Sequence, residues 1–358
     1  MPRASLVSIA DFSEVMETHQ ASQHRASSCA INTFDTCPLH RAAKPVGQGE
    51  QIREMYVSVN DDAENAAAKD DCELSDSRFY HADSEAKFAE SAPQDTPQTR
   101  HPAYRLAFQD RDFLVREELR PIRFQLELLK PEMLLEEAGV GSTLVMYGSA
   151  RIPPPEATAL ALEQAEQLPE EEALVVRNLA AKAKYYDEAF KLGKLVGEKA
   201  IIEGGKRQFV VCSGGGPSIM EAANKGASEA GAESIGLNIV LPHEQAPNPY
   251  VTPYLSFQFH YFALRKMHFL LRARAVAVFP GGFGTFDEFF ELMTLIQTGK
   301  MKPIPILLFG KHFWNRVINF EALAEEGTIS RKDLDLITWC ETADEAWSAI
   351  ADFYDLDR

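Results

Sequence analysis

The chain has 358 residues, of which 45% are hydrophobic. That supplies core for one large domain or two ordinary ones and excludes disorder throughout. Lys and Arg number 36 against 53 Asp and Glu, and the net charge of −17 repels polynucleotides and anionic membranes over most of the surface. Neither a nucleic-acid nor a membrane partner is expected, but an anionic small molecule is still accommodated, because backbone N–H groups at a helix N-terminus hold a phosphate whatever the net charge.

Residues 1–100 are rich in Ala, Ser, Asp, Gln and His, with acidic residues outnumbering basic ones and no apolar periodicity. They are expected to form an acidic extension, largely disordered or weakly helical, with the linker-like run Ser91 to Gln98 near its end. Met1 to Phe12 lacks a long apolar stretch and soon meets Asp11 and Glu14, so it reads as neither signal nor transit peptide, and a cytoplasmic protein is expected. Cys29, Cys37 and His40 lie close together without a matching second pair, so no metal site is expected there. The five cysteines show no disulfide framework, which suits a reducing compartment.

Residues 101–139 carry Phe108, Phe113, Leu114, Leu119, Ile122, Leu126 and Leu129 at helical spacing, interrupted at Pro121. They are read as a helical lead-in that packs on the following domain or on a partner subunit. From about residue 140 short apolar runs alternate with amphipathic stretches. Strands are expected at Thr143 to Tyr147, Gln208 to Cys212, Ser234 to Val240, Ala275 to Phe279, Ile304 to Phe309 and Leu336 to Cys340. Helices are expected at Tyr185 to Ala200, Ser218 to Ala230 and Thr285 to Thr298, and a last one opens at Thr342, where Glu345 completes a capping box. Pro153 to Pro155 and the acidic run Glu163 to Glu172 read as a surface insertion. Strands apolar at every position are buried on both faces, and their alternation with helices predicts an α/β fold over residues 140–358. The expected architecture is a doubly wound, mainly parallel Rossmann-like sheet with helices on both faces. Ligands in such sheets bind at the carboxyl ends of the strands.

Two glycine clusters fall at strand ends. Gly214, Gly215 and Gly216 follow the strand ending at Cys212 and precede a helix, which suits a phosphate but, taken alone, also suits a tight βα turn without ligand. A dinucleotide fingerprint is weak there, because its third glycine position is Ile219. The second cluster, Gly281, Gly282 and Gly284, leads into Thr285, Asp287, Glu288 and Glu291. Thr285 can donate to a phosphate and serve as an N-cap, and Thr285-x-x-Glu288 is also a capping box, so spacing leaves Glu288 open between helix start and chemistry. Glu288 and Glu291 share a helical face, where like-charge proximity would raise a carboxylate pKa. Upstream, Arg265 and Lys266 lie on a helical stretch that can bring a cation over the same crevice, with Arg265 expected outside the core. His268 reads as an ordinary helix residue, and Cys212 has no partnered base to make it a nucleophile.

Leu264-Arg265-Lys266-Met267 and Pro280-Gly281-Gly282-Phe283-Gly284-Thr285-Phe286-Asp287-Glu288 resemble the arginine-lysine segment and the PGGxGTxxE motif of the LOG (Lonely Guy) cytokinin riboside 5′-monophosphate phosphoribohydrolases, long labelled lysine decarboxylase-like. Gly148-Ser149-Ala150-Arg151 and Gly214 to Glu221 are supporting matches. The resemblance implies hydrolysis of a nucleoside 5′-monophosphate to free base and ribose 5-phosphate, with Arg265 and Glu288 as the catalytic pair. Gly214, Gly215, Gly216, Gly281, Gly282, Gly284 and Thr285 would hold the phosphate or nucleotide, and Ser149, Met220, Lys266 and Glu291 would support them. It implies no cofactor, no metal, and a homodimer or larger homo-oligomer. Two rivals make other demands. The old lysine decarboxylase label requires pyridoxal phosphate on a lysine that nothing in the sequence marks, and a non-catalytic nucleotide or molybdenum-cofactor carrier would need the glycine loops but not the Arg265 and Glu288 pair.

Overall fold

Val145 and Tyr147 face one side of a sheet while Leu144 and Met146 face the other, and both sets are buried. This is the arrangement that an uninterrupted apolar strand requires. The computed structural model describes residues 81–91, 96–242 and 246–356. The chain divides into residues 1–85 and 86–358; most of the expected extension 1–100, with Cys29, Cys37 and His40, lies outside the described residues. Helices occupy Ala82–Ser91 and Pro97–Arg100 within it.

Within residues 86–358 the lead-in culminates in α1 (Arg120–Glu137). Pro121 begins this helix rather than interrupting it, because a proline in the first turn forfeits no intrahelical hydrogen bond. There follow β1 (Thr143–Tyr147), α2 (Lys184–Lys199), β2 (Val210–Ser213), α3 (Ile219–Glu229), β3 (Ser234–Ile239), β4 (Ser256–Phe259), α4 (Phe262–Leu271), β5 (Ala273–Val278), α5 (Phe283–Gln297), β6 (Ile306–Phe309), β7 (Ile337–Cys340) and α6 (Ala343–Tyr354). The expected surface insertion is two helices, Pro155–Ala165 and Glu170–Ala180, the first started by its own proline and the second by three glutamates at its positive end.

The strands form one parallel sheet in the order β4-β3-β2-β1-β5-β6-β7. The chain runs outward from β1 to β4, then returns to place β5 against the other side of β1. The order therefore reverses between β1 and β5, and in open sheets of this kind ligands bind beyond the carboxyl ends of the strands at such a reversal. On one face Phe269 of α4 and Phe289 and Leu292 of α5 cover the sheet; on the other Leu192 of α2, Ala223 of α3 and Trp347 of α6 do. Helices α2 and α3 approach at backbone distance, since a Cβ on Gly193 or Gly226 would collide with the carbonyl of Ala223 or Phe190. Among the described residues no helix is long and apolar enough to cross a membrane.

Candidate active site

Three turns meet at the reversal point. Phe279 N–H donates to Tyr147 O at 2.8 Å, and Ser149 N–H donates to Pro280 O at 3.1 Å, so the ends of β1 and β5 are tied together. The Ile219 N–H at the start of α3 reaches Ser149 O at 3.4 Å, which draws the first glycine turn to the same place. Ser149 thus links both glycine clusters.

The first turn needs its glycines for contact as well as conformation. A Cβ at Gly214 would stand 2.6 Å from Arg265 Nη2 and 2.8 Å from Met220 Sδ. Gly215 has a φ of 73°, and its Cβ would stand 2.6 Å from Asn238 Oδ1. Behind the turn, buried Asn248 donates through Nδ2 to Gly215 O (3.2 Å), Gly216 O (3.0 Å) and Asn224 Oδ1 (3.0 Å), while Ser213 Oγ bonds Asn224 Oδ1 at 2.7 Å. Ser218 takes a φ of 65°, a strained value for a residue with a side chain, and its hydroxyl donates to Ile152 O at 2.6 Å instead of capping α3. The supporting residues Asn224 and Asn248 escaped sequence reasoning. The signal available was an asparagine held between Pro247 and Pro249.

The second turn begins α5 two residues earlier than expected, at Phe283, with Gly282 as N-cap and no side-chain cap bond. The capping box of Thr285 and Glu288 does not form. Thr285 is instead buried against Gly281, where a Cβ would strike its hydroxyl, and Gly282 and Gly284 lie exposed beside it. The turn therefore offers bare backbone at a positive helix end.

Glu288, freed from capping, faces α4. Arg265 Nη1 donates to Glu288 Oε1 at 3.1 Å, Arg265 Nε donates to Leu237 O at 2.6 Å, and the guanidinium carbon stands 5.0 Å from the centre of the Phe269 ring. Arg265 is therefore a buried residue, against expectation, because the β3 carbonyl and the aromatic face replace the water it loses. Burial pushes the Glu288 carboxyl up to about 7, outweighing the opposing pull of Arg265; Glu291 contributes least. Like-charge repulsion from Glu291 is thus not the main cause, for Lys266 Nζ stands between the acids, 3.0 Å from Glu291 and 3.1 Å from Asp287. Burial lowers the Lys266 pKa, but its hydrogen bonds to Glu291 and Asp287 outweigh this and raise it above the ordinary lysine value. Tyr147, beneath the pair at the end of β1, is held far above the ordinary phenol value by burial and then by the Glu288 charge. Cys212 is buried and its thiol pushed up by burial, which leaves no thiolate to react. Burial lowers the pKa of His268, whose Nε2 lies 3.1 Å from Glu127 O.

Residues 220–350 match the family described as "Possible lysine decarboxylase", a span that includes Arg265, Lys266, the second glycine turn, Glu288 and Glu291. The chain is 29% identical over 167 residues to the cytokinin riboside 5′-monophosphate phosphoribohydrolase LOG of Oryza sativa subsp. japonica; the match covers 46% of this chain and 65% of that relative. Among solved structures it is similar to a molybdenum cofactor binding protein from Rippkaea orientalis (18% identity, 48% of this chain and 88% of that one, TM-score 0.33). It is also similar to the molybdenum cofactor carrier protein of Chlamydomonas reinhardtii (20% identity, 48% and 88%, TM-score 0.33). The resemblance carried by the arginine-lysine and PGGxGTxxE motifs is thus met twice, by a family model over residues 220–350 and by a LOG relative of which the chain spans less than two thirds.

Proposed function

We propose that the protein hydrolyses the N-glycosidic bond of a nucleoside 5′-monophosphate, AMP or an N6-modified AMP such as a cytokinin ribotide, to free base and ribose 5-phosphate. The observation that carries this reading is the buried Arg265–Glu288 pair, 3.1 Å apart beside two glycine turns. In the reaction the bond from the sugar carbon to the base nitrogen breaks, water supplies hydroxide to that carbon, and the base leaves with a proton. Positive charge builds on the ribosyl centre as the base departs. A carboxylate with a pKa of about 7 both opposes that charge and accepts a proton from water near neutral pH. Arg265, fixed by Leu237 O, aims the carboxylate at the ribosyl centre. Gly281, Gly282, Gly284 and Thr285 would take the phosphate at the start of α5, opposite Gly214, Gly215 and Gly216, with Ser149, Met220, Lys266 and Glu291 holding the surround.

Lys266 is a poor Schiff-base lysine, since a protonated amine paired with two acids does not attack a carbonyl. We further propose a cytoplasmic homo-oligomer. Ile122, Leu126, Leu129 and Met133 form one exposed stripe on α1, while Glu127 on the opposite side accepts from the N–H groups of His260 and Tyr261, so the stripe is free to meet a second copy. The deciding experiment incubates purified protein with AMP, isopentenyl-AMP and other monophosphates and measures ribose 5-phosphate and free base. Release of both is expected from the wild type and at least about a hundredfold less from Glu288→Gln. Tight AMP binding without release would leave a carrier rather than an enzyme.

A further inference from the structure

A bound monophosphate brings up to two negative charges, and two of the cations beside the glycine turns are engaged. Arg265 directs Nε to Leu237 O and Nη1 to Glu288, and Lys266 lies between Asp287 and Glu291. Arg151 differs from both. Its side chain is exposed, and among the described residues its guanidinium makes no hydrogen bond or ion pair.

The backbone that carries Arg151 is nonetheless fixed on both sides. Its N–H donates to Ser149 Oγ at 3.0 Å, and the next residue, buried Ile152, accepts from Ser218 Oγ at 2.6 Å. Ser149 is the residue whose N–H holds Pro280 O and whose carbonyl receives Ile219 N–H. Arg151 therefore stands two residues beyond the junction of the glycine turns, tethered to both the residue before α3 and the end of β1. Pro153, Pro154 and Pro155 stiffen the chain that follows.

We propose that Arg151 is a phosphate-binding residue of this site, closing its planar guanidinium on the phosphate oxygens of the nucleoside monophosphate. The proposal rests on the reading that the site takes such a nucleotide. The glycine turns supply backbone N–H groups and helix ends, and Arg151 supplies the full positive charge that neither Arg265 nor Lys266 can give without leaving a carboxylate. The fork matches two phosphate oxygens at once, which an ammonium does not.

The test compares the binding of AMP, ribose 5-phosphate and adenosine, by calorimetry, to the full chain and to Arg151→Ala. Both phosphate esters are expected to bind the variant at least about tenfold more weakly, with adenosine affinity and melting temperature unchanged, as loss of a charge-assisted hydrogen bond predicts. Arg151→Lys should recover part of the loss. If Arg151→Ala lowers the melting temperature, Arg151→Gln repeats the comparison with polar bulk retained. Equal affinity of wild type and variant for ribose 5-phosphate overturns the proposal, and so does a proportionate loss for adenosine, which marks a disturbed loop. The assigned reaction fails separately, if the wild type binds AMP through Arg151 yet releases no ribose 5-phosphate. A wild type that binds neither ester overturns both.

Discussion

Replacing Glu288 by Gln tests the site through stability as well as rate. The Glu288 side chain is 13% exposed, and burial raises its pKa from 4.5 to about 7. A carboxyl whose folded pKa lies above its unfolded value holds in the native state a proton that the unfolded chain releases. Its stabilising contribution is therefore complete below pH 4.5 and is lost as pH rises through about 7. At roughly 1.4 kcal/mol per pKa unit the loss across that window is on the order of 3 kcal/mol. Gln cannot ionise and lacks this dependence, while the other titrating groups are common to both proteins and cancel in the difference. Urea unfolding of wild type and Glu288→Gln at intervals from pH 5 to 8.5 should show wild type losing about 3 kcal/mol relative to the variant. The wild-type hydrolysis rate should rise over the same range with an apparent pKa near 7, because the ionised carboxylate is the active form. A stability difference that stays flat, or moves in favour of wild type at high pH, would mean that the ion pair with Arg265 outweighs burial and that Glu288 is an ordinary ionised acid.

Arg265→Ala should abolish measurable hydrolysis and also cost about 3 kcal/mol or more in denaturant unfolding, since it strands the buried Glu288 carboxylate and Leu237 O; full activity in a stable variant would remove Arg265 from the mechanism. Gly281→Ala drives a methyl into Thr285 and should weaken AMP binding, seen as loss of the AMP-induced rise in melting temperature. Asn248→Ala leaves the carbonyls of Gly215 and Gly216 without their side-chain donor, so the first glycine turn should loosen. The KM for AMP should rise, with a stability loss of about 1–3 kcal/mol; an unchanged KM would show that this turn does not touch the nucleotide.

Most of the sheet was legible because β1, β2, β5 and β6 carry apolar runs that a doubly covered strand explains, and β3 sets buried Ile235, Leu237 and Ile239 at alternate positions. Strand β4 escaped because it is an edge strand, Ser256-Phe257-Gln258-Phe259, in which only alternate residues are buried and the run is too short to stand out. The glycine turns were legible from composition, but their supports were not, for Asn224 and Asn248 act by filling buried hydrogen bonds that only the folded backbone creates. Arg265 and Glu288 show the same limit more sharply. Spacing showed that Glu288 could cap a helix or repel Glu291, and both readings depend on where the helix begins and what lies across from it. With α5 starting at Phe283 and Gly282 as its N-cap, Thr285 has no capping role for Glu288 to complete, and with Lys266 between Glu291 and Asp287 the neighbouring charge is largely answered. What remains to set the Glu288 pKa is burial against α4, opposed by a guanidinium that is itself buried by Phe269 and Leu237. Those contacts join residues from β3, α4 and α5, so the feature that suits Glu288 to accept a proton near neutral pH belongs to the assembled sheet and helices rather than to any one motif.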